Sequence, residues 1–216
     1  FEHRRNVLLV FGTMILFSIL TALMVRSNLF SVWIIPYAMA PITIRILMDA
    51  RTAFTANVAM VMLCSLSLSY PYEFILIQII SGLVSILSLK EMSERSQLFR
   101  TAAIVTVVNM LFYFCYSLMT ENVLIDVYKY LAINGVILLF TYPMLYMLEK
   151  TFGFTSDVTL VELSNSNKPL LQKLSEVAPG TFQHSLQVAN LAAEVARKIE
   201  AKTQLVRTGA LYHDIG

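Results

Sequence analysis

The alternation of apolar and polar positions divides the chain near residue 150 into two regimes. Before that point apolar residues run almost unbroken, and six stretches are long enough to cross a bilayer: 7–25, 29–48, 53–70, 72–89, 98–119 and 123–148. A hydrocarbon core about 30 Å thick needs roughly 20 apolar residues in a helix. These stretches are apolar all round rather than along one stripe, which argues for spans and against amphipathic helices lying on a membrane surface. The first is not a cleaved leader, because it lacks a small-residue cleavage site and further spans follow at once. Arg26-Ser27-Asn28, Ser69-Tyr70-Pro71 and Thr120-Glu121-Asn122 are predicted turns on one side. Asp49-Ala50-Arg51 and the longer run from Lys90 to Arg95 are predicted on the other. Pro71 suits the first turn of a helix, where a missing N–H costs nothing, and Glu73 suits the positive end of its dipole.

Beyond residue 150 the pattern becomes that of a soluble chain. Residues 151–157 read as a linker and 163–167 as a polar turn. Short helices are predicted at 169–177, about 181–200 and 203–212, with Ala178-Pro179-Gly180 breaking the first from the second. In the second, Leu186, Ala189, Val195, Ala196 and Ile199 recur at helical spacing.

Composition agrees with the pattern. Of 216 residues 57% are hydrophobic and 14% charged, and mean hydropathy is +0.68. A soluble domain carries about 25% charged residues. The net charge of +2 is too small to imply a nucleic-acid polymer as partner. Its distribution says more. Arg4, Arg5, Arg45, Arg51, Lys90, Arg95, Arg100 and Lys150 fall on one side of the predicted spans, against Arg26 and Lys129 on the other. Basic residues accumulate on the cytoplasmic side, so an even number of spans places both ends of the chain in the cytoplasm of a multi-pass protein. Cys64 and Cys115 lie inside apolar stretches, where free cysteine behaves as a small apolar residue, and no disulfide or cysteine-based zinc site is expected. The start at Phe1 and the stop at Gly216 read as those of a segment of something longer.

Asn57, Gln78, Asn109 and Asn134 stand at mid-span. They are read as hydrogen-bonding glue between helices, with a ligand or ion site as the alternative. Asp126 and Lys129, three apart, are expected to pair on one helix face. Pro36, Pro41 and Pro143 are expected to kink their helices. Nothing in the spans names a substrate.

The chemistry-bearing residues lie downstream. His184 falls in the first turn of the second predicted helix, and His213-Asp214 closes the third, so two antiparallel helices would bring them together. Neutral imidazole plus carboxylate suits a divalent cation such as Mn, Fe or Zn, and a carboxylate has two oxygens with which to bridge a pair of ions. On spacing alone the signal is weak, since a lone histidine is more often a surface or core residue than a ligand.

The wording around these residues is more specific. Glu176-Val177-Ala178-Pro179-Gly180-Thr181-Phe182-Gln183-His184-Ser185-Leu186-Gln187-Val188-Ala189-Asn190-Leu191, followed by Gly209-Ala210-Leu211-Tyr212-His213-Asp214-Ile215-Gly216, closely resembles the bacterial seven-transmembrane HD family of PgpH-like cyclic-di-AMP phosphodiesterases. Phe152-Gly153, Leu160-Val161-Glu162-Leu163-Ser164 and Asn167-Lys168-Pro169-Leu170-Leu171 resemble it too. Upstream of Phe152 the likeness is one of architecture. The resemblance implies an external sensor domain and seven spans, of which this chain would begin at the second, followed by a cytoplasmic HD domain. It also implies two divalent metal ions, Mn or Fe, and hydrolysis of cyclic di-AMP to the linear dinucleotide. His184, His213 and Asp214 match its first metal-ligating histidine and its HD pair, with Asp214 expected to bridge both ions as the catalytic residue. Lys168 stands where many members have histidine. The family's later ligands, and the lysine that usually follows His-Asp-Ile-Gly, are not among these residues, so the 216 residues alone are expected to be inactive.

The expected fold is therefore all-α. A polytopic helical membrane bundle (1–150) leads through a cytoplasmic linker (151–168) into the N-terminal helices of a truncated HD phosphohydrolase domain (169–216). The implied protein lies in the bacterial cytoplasmic (inner) membrane, takes a cyclic dinucleotide as substrate and the lipid bilayer as surroundings, and has a homodimer as its candidate assembly. The alternatives are an HD hydrolase of another nucleotide, or a membrane receptor or binding module whose HD domain is not catalytic.

Overall fold

The computed structural model describes residues 2–27, 31–89, 96–120, 124–153 and 155–215, and every ordered element among them is helical. The chain forms two compact units that meet in sequence at residues 154 and 155. The predicted turns at Asn28, at Glu121-Asn122 and along 90–95 lie outside the described residues.

The first unit contains α1 (Glu2–Ser27), a 3₁₀ turn (Val32–Ile34), α2 (Met39–Leu47), α3 (Ala50–Ser65), α4 (Pro71–Ser88), α5 (Ser96–Thr120), α6 (Ile125–Leu138) and α7 (Thr141–Phe152). Among the described residues three helices are long and apolar enough to cross a membrane: Arg4–Ser27, Pro71–Ser88 and Gln97–Thr120. The pair α6 and α7, bent by 42°, passes the same test only as one broken span. The expected spans at 29–48, 53–70 and 123–148 are thus not continuous helices of full length. Helix α3 stops at Ser65 after 16 residues, and the other two segments are broken.

Each break has a local cause. Pro36 has no N–H and its ring clashes with the preceding turn, so the segment from Val32 to Leu47 divides into a 3₁₀ turn and the nine-residue α2. Pro41 falls in the first turn of α2 and Pro143 in the first turn of α7, where proline is tolerated, so they mark helix starts rather than mid-helix kinks. Asp49 caps α3, its Oδ1 accepting the Thr52 N–H at 2.6 Å. That bond, helped by Arg51 and Arg45, holds the Asp49 carboxyl below its ordinary value. The cap's contribution is full above the ordinary carboxylate pKa and is lost as pH falls through the lowered one.

The break at Pro36 opens the backbone inside the bundle. In a continuous helix the Trp33 and Ile35 carbonyls would accept the amides of Tyr37 and Met39. Here the Tyr37 N–H turns to Ile35 and the Met39 N–H to Pro36. The buried side chain of Asn134, on α6, compensates by donating its Nδ2 to the Trp33 carbonyl at 3.0 Å and to the Ile35 carbonyl at 2.6 Å. A chain of rings packs around this point: Phe17–Tyr37 at 5.8 Å, Tyr37–Phe74 at 4.9 Å, Phe74–Trp33 at 6.1 Å, Trp33–Tyr113 at 6.2 Å and Tyr113–Tyr128 at 5.1 Å. The Thr21 and Tyr37 hydroxyls meet at 2.8 Å beside it. Of the four mid-span amides, Asn134 is the one that meets the expectation of glue through a visible bond. Asp126 and Lys129 pair as expected, at 2.8 Å on an exposed face of α6.

The first and last elements of this unit are tied at one end. Arg5 donates to the Gly153 carbonyl at 3.2 Å, and Gly153, with φ of 65°, is the left-handed residue that ends α7. Removing the Asn134 clamp leaves the Trp33 carbonyl without a donor and the Ile35 carbonyl with the Tyr37 N–H alone. Asn134→Leu is therefore expected to cost about 2 kcal/mol, read as a lowered unfolding midpoint of the chain in detergent. Lys129→Ala, which breaks the exposed pair, should leave that midpoint unchanged.

Candidate metal centre

The second unit holds α8 (Asp157–Leu163), α9 (Pro169–Val177), α10 (Pro179–Lys198) and α11 (Thr203–Tyr212). Helices α9 and α11 have the expected bounds. Helix α10 begins two residues before the expected start, because Pro179 is itself its first residue. His184 accordingly falls in the second turn rather than the first. The expected linker 151–168 is corrected more heavily: its first residues complete α7, and 157–163 form α8. Ser156 caps α8 by accepting the Thr159 N–H at 3.3 Å, a serine N-cap signal present in the sequence.

The core of this unit sets the geometry of the site. Leu171 of α9, Ala189 of α10 and Leu211 of α11 are fully or almost fully buried together, with Phe182, Leu186 and Ile215 packed against them. Facing Ala189 with Leu211 fixes α10 and α11 antiparallel. The start of α10 then lies beside the end of α11, and the His184 and His213 rings are 5.9 Å apart, centroid to centroid.

A second set of bonds fixes the rotation of α11. Thr208 donates to the Leu160 carbonyl at 3.0 Å and meets the Ser164 hydroxyl at 2.7 Å. Tyr212 donates to the Leu163 carbonyl at 2.8 Å. These are carbonyls of the last turn of α8, where a helix has acceptor capacity to spare; that of Leu160 also takes the Ser164 N–H at 3.0 Å. Tyr212 immediately precedes the His-Asp pair, so this contact orients the residues that follow it. Sequence reading missed Ser164, Thr208 and Tyr212 in this role, because a hydroxyl aimed at a remote carbonyl leaves no periodic signal.

His184, His213 and Asp214 each offer a ligand atom within 4.8 Å of the others, and all three are exposed. The His213 Nδ1 lies 2.6 Å from the Ala210 carbonyl. A carbonyl only accepts, so Nδ1 donates here, and in the neutral ring Nε2 is the nitrogen left to ligate. That Nε2 faces the Asp214 Oδ2 at 3.2 Å. A ring nitrogen and a carboxylate oxygen this close share either a proton or a cation. A carbonyl that fixes the tautomer of a ligating imidazole is the usual support for a metal-binding histidine. Two nitrogen or oxygen ligands each about 2.1 Å from one ion stand no more than about 4.2 Å apart, so a small side-chain rotation closes the present group onto a cation. The donor set fits a divalent ion. Lys168, at the N-cap of α9, is not part of the group.

Burial raises the Tyr212 phenol above its ordinary value of 10.0. The unfolded chain therefore releases this proton first, and docking of α11 on α8 loses stability as pH rises above 10.0. Tyr212→Phe should remove that alkaline loss. At neutral pH it should cost about 1 kcal/mol, seen as roughly fivefold faster hydrogen exchange of the α8 amides.

Comparison with known proteins places these elements. The family described as "7TM receptor with intracellular HD hydrolase" matches residues 1–156, and the HD domain matches residues 181–216, the stretch that carries His184, His213 and Asp214. The chain is 32% identical to the "Cyclic-di-AMP phosphodiesterase PgpH" of Listeria monocytogenes, over 85% of this chain and 27% of that protein. It is 31% identical to the protein of the same name from Bacillus subtilis, over 85% of this chain and 28% of that one. An uncharacterised protein of Synechocystis sp. is 58% identical over 69 residues, 32% of this chain and 8% of that protein. No solved structure matches the chain. It spans about a quarter of the length of the two phosphodiesterases it matches. With a membrane bundle matched along its length and an HD segment after it, the chain belongs to the family of seven-transmembrane receptors with an intracellular HD hydrolase.

Proposed function

We propose that the protein to which this chain belongs is a membrane-anchored, metal-dependent phosphodiesterase that hydrolyses a cyclic dinucleotide, with cyclic di-AMP opened to linear pApA as the favoured reaction. The observation that carries this reading is the convergence of His184, His213 and Asp214 at the open, solvent-facing ends of α10 and α11. The name shared by the two similar phosphodiesterases supports the substrate class.

His184 and His213 would each hold a cation through a ring nitrogen, and Asp214, the catalytic residue of this reading, would reach two ions with its two oxygens. Bound divalent ions, Mn or Fe, supply Lewis acidity toward the phosphate oxygens and lower the pKa of water. The residues themselves hold charge and geometry: the Ala210 carbonyl fixes the His213 tautomer, and Tyr212 fixes the direction from which the pair is presented. Water adds to one phosphodiester, a P–O ester bond breaks, and a phosphomonoester and a free hydroxyl remain.

The chain holds three histidines, His3, His184 and His213. Together with Asp214 the latter two make fewer ligands than a two-metal centre uses, so these 216 residues alone are expected to show no turnover. Regulation belongs to the same reading: a displacement in the membrane unit would reach the HD unit along the backbone that follows Gly153. The orientation with both chain ends in the cytoplasm of the inner membrane is supported by the basic residues and by the Arg5–Gly153 bond, which holds the start of α1 beside the end of α7. A homodimer is the assembly this reading adopts.

The decisive experiment uses the full-length protein. Asp214→Ala and His213→Ala should each lower Mn-dependent cleavage of cyclic di-AMP by about a hundredfold or more, with the protein still folded in the membrane. Undiminished cleavage would sink the assignment. Tight binding of the dinucleotide without turnover by the wild type would make the protein a receptor rather than a hydrolase.

A further inference from the structure

The membrane unit holds a second cluster of polar groups, and it is built differently from the Asn134 clamp. Asn57, Gln78, Ser81 and Asn109 are all at least nine-tenths buried, with 1%, 2%, 1% and 3% of their surfaces exposed. Asn57 Nδ2 and Oδ1, Gln78 Nε2, Ser81 Oγ and Asn109 Oδ1 have no hydrogen-bond partner among the described residues.

Helix register brings these groups to one level. Helices α4 and α5 run antiparallel: Ser88 meets Thr101 through their hydroxyls at 2.8 Å, and Ile77 packs with Tyr113. Moving along both helices at the same rise per residue sets Ser81 opposite Asn109. Helices α3 and α4 are also antiparallel, because the Asn57 amide lies directly against Gly82, and Ala53 clusters with Ile86. Asn57, Ser81 and Asn109 therefore share a level, with Gln78 one turn away. At 100° per residue Gly82 and Ile86 mark the face of α4 toward α3, and Ile77, Ser81 and Ser88 the face toward α5. Gln78 falls between these two faces of α4.

We infer that this level is a binding site for internal water, held between α3, α4 and α5 by Asn57, Gln78, Ser81 and Asn109. The donor and acceptor chemistry selects the occupant. The free groups include amide N–H donors, amide oxygen acceptors and a hydroxyl that does both, so the ligand must donate and accept. The segments 53–65, 74–88 and 101–119 contain no charged residue, so nothing at this level compensates the charge of an ion. Close packing narrows it further: the Asn57 amide lies so near Gly82 that a Cβ there would overlap it, which argues against a large polar solute. A buried water makes about three hydrogen bonds, and this level offers that many from three helices. Water-bridged bonds re-form after a small slide, so α4 can shift against α3 and α5 here without presenting a bare amide to hydrocarbon.

The test is water-edited solid-state NMR of the labelled chain in lipid bilayers, reading side-chain amide signals. Asn134 is the internal reference, since its amide is spent on backbone carbonyls. The Asn57 and Gln78 amides should receive water magnetisation about tenfold faster than the Asn134 amide. Asn109→Leu keeps the volume but removes an acceptor, and should slow that transfer severalfold while the Asn134 signal stays in place. Should that variant not fold, Ser81→Ala gives the same reading. Transfer to Asn57 and Gln78 as slow as to Asn134 would overturn the inference in favour of a dry amide contact. Fast transfer unaffected by either substitution would overturn the shared site.

Discussion

Inside hydrocarbon a backbone carbonyl without a donor is expensive, and this constraint governs the membrane unit from Pro36 outward. Proline there stops the helix, diverts the amides of Tyr37 and Met39, and leaves the Trp33 carbonyl to be satisfied from elsewhere. Asn134 supplies the donor from a helix about a hundred residues away in sequence. Such a bond forms only when α6 lies against the 3₁₀ turn, so closing it also places Tyr128 and Tyr113 against Trp33. Gly135, next to Asn134, lets Thr106 of α5 come so close that a Cβ would overlap it. One break thus explains an amide, a glycine and a ring cluster that otherwise look unrelated.

The HD unit solves a smaller version of the same problem. The last turn of α8 has acceptor capacity to spare, and the hydroxyls of Thr208 and Tyr212 donate to its carbonyls. The reward here is orientation: α11 is fixed about its own axis, and its final residue hands over to His213 and Asp214. Leu171, Ala189 and Leu211 determine how far apart α10 and α11 lie. Apolar packing sets the distance between the candidate ligands, and polar bonds set their direction.

What was legible in the sequence follows from this division of labour. Apolar run length announced a helical membrane bundle, and the approximate bounds 169–177 and 203–212 match the observed helices. His184, His213 and Asp214 were named from the wording around them, and the structure brings the three together. Run length was a poor guide to continuity, because apolar composition persists across Pro36 and across Leu139-Phe140 while the helix does not. Helix α8 escaped notice because seven residues are too few to show a helical period, although Ser156 announced its cap. Ser164, Thr208 and Tyr212 were invisible as orienting residues, since the partner of each is a backbone carbonyl and carbonyls carry no sequence.

Five of the long-range polar bonds share a form. Arg5 to Gly153, Asn134 to Trp33 and Ile35, Thr208 to Leu160 and Tyr212 to Leu163 all run from a side chain to a carbonyl at a helix end or a break. A helix end is where the backbone has acceptors to spare, so it is where one element can grip another without disturbing its own ladder. It is also where the chain is able to swivel, as at Gly153 with its positive φ. Apolar faces give these helices affinity for one another but tolerate sliding, whereas a donor on a single carbonyl is either made or lost. The few polar side chains at the ends therefore make the contacts that are on or off, and the many apolar ones between make the contacts that are graded.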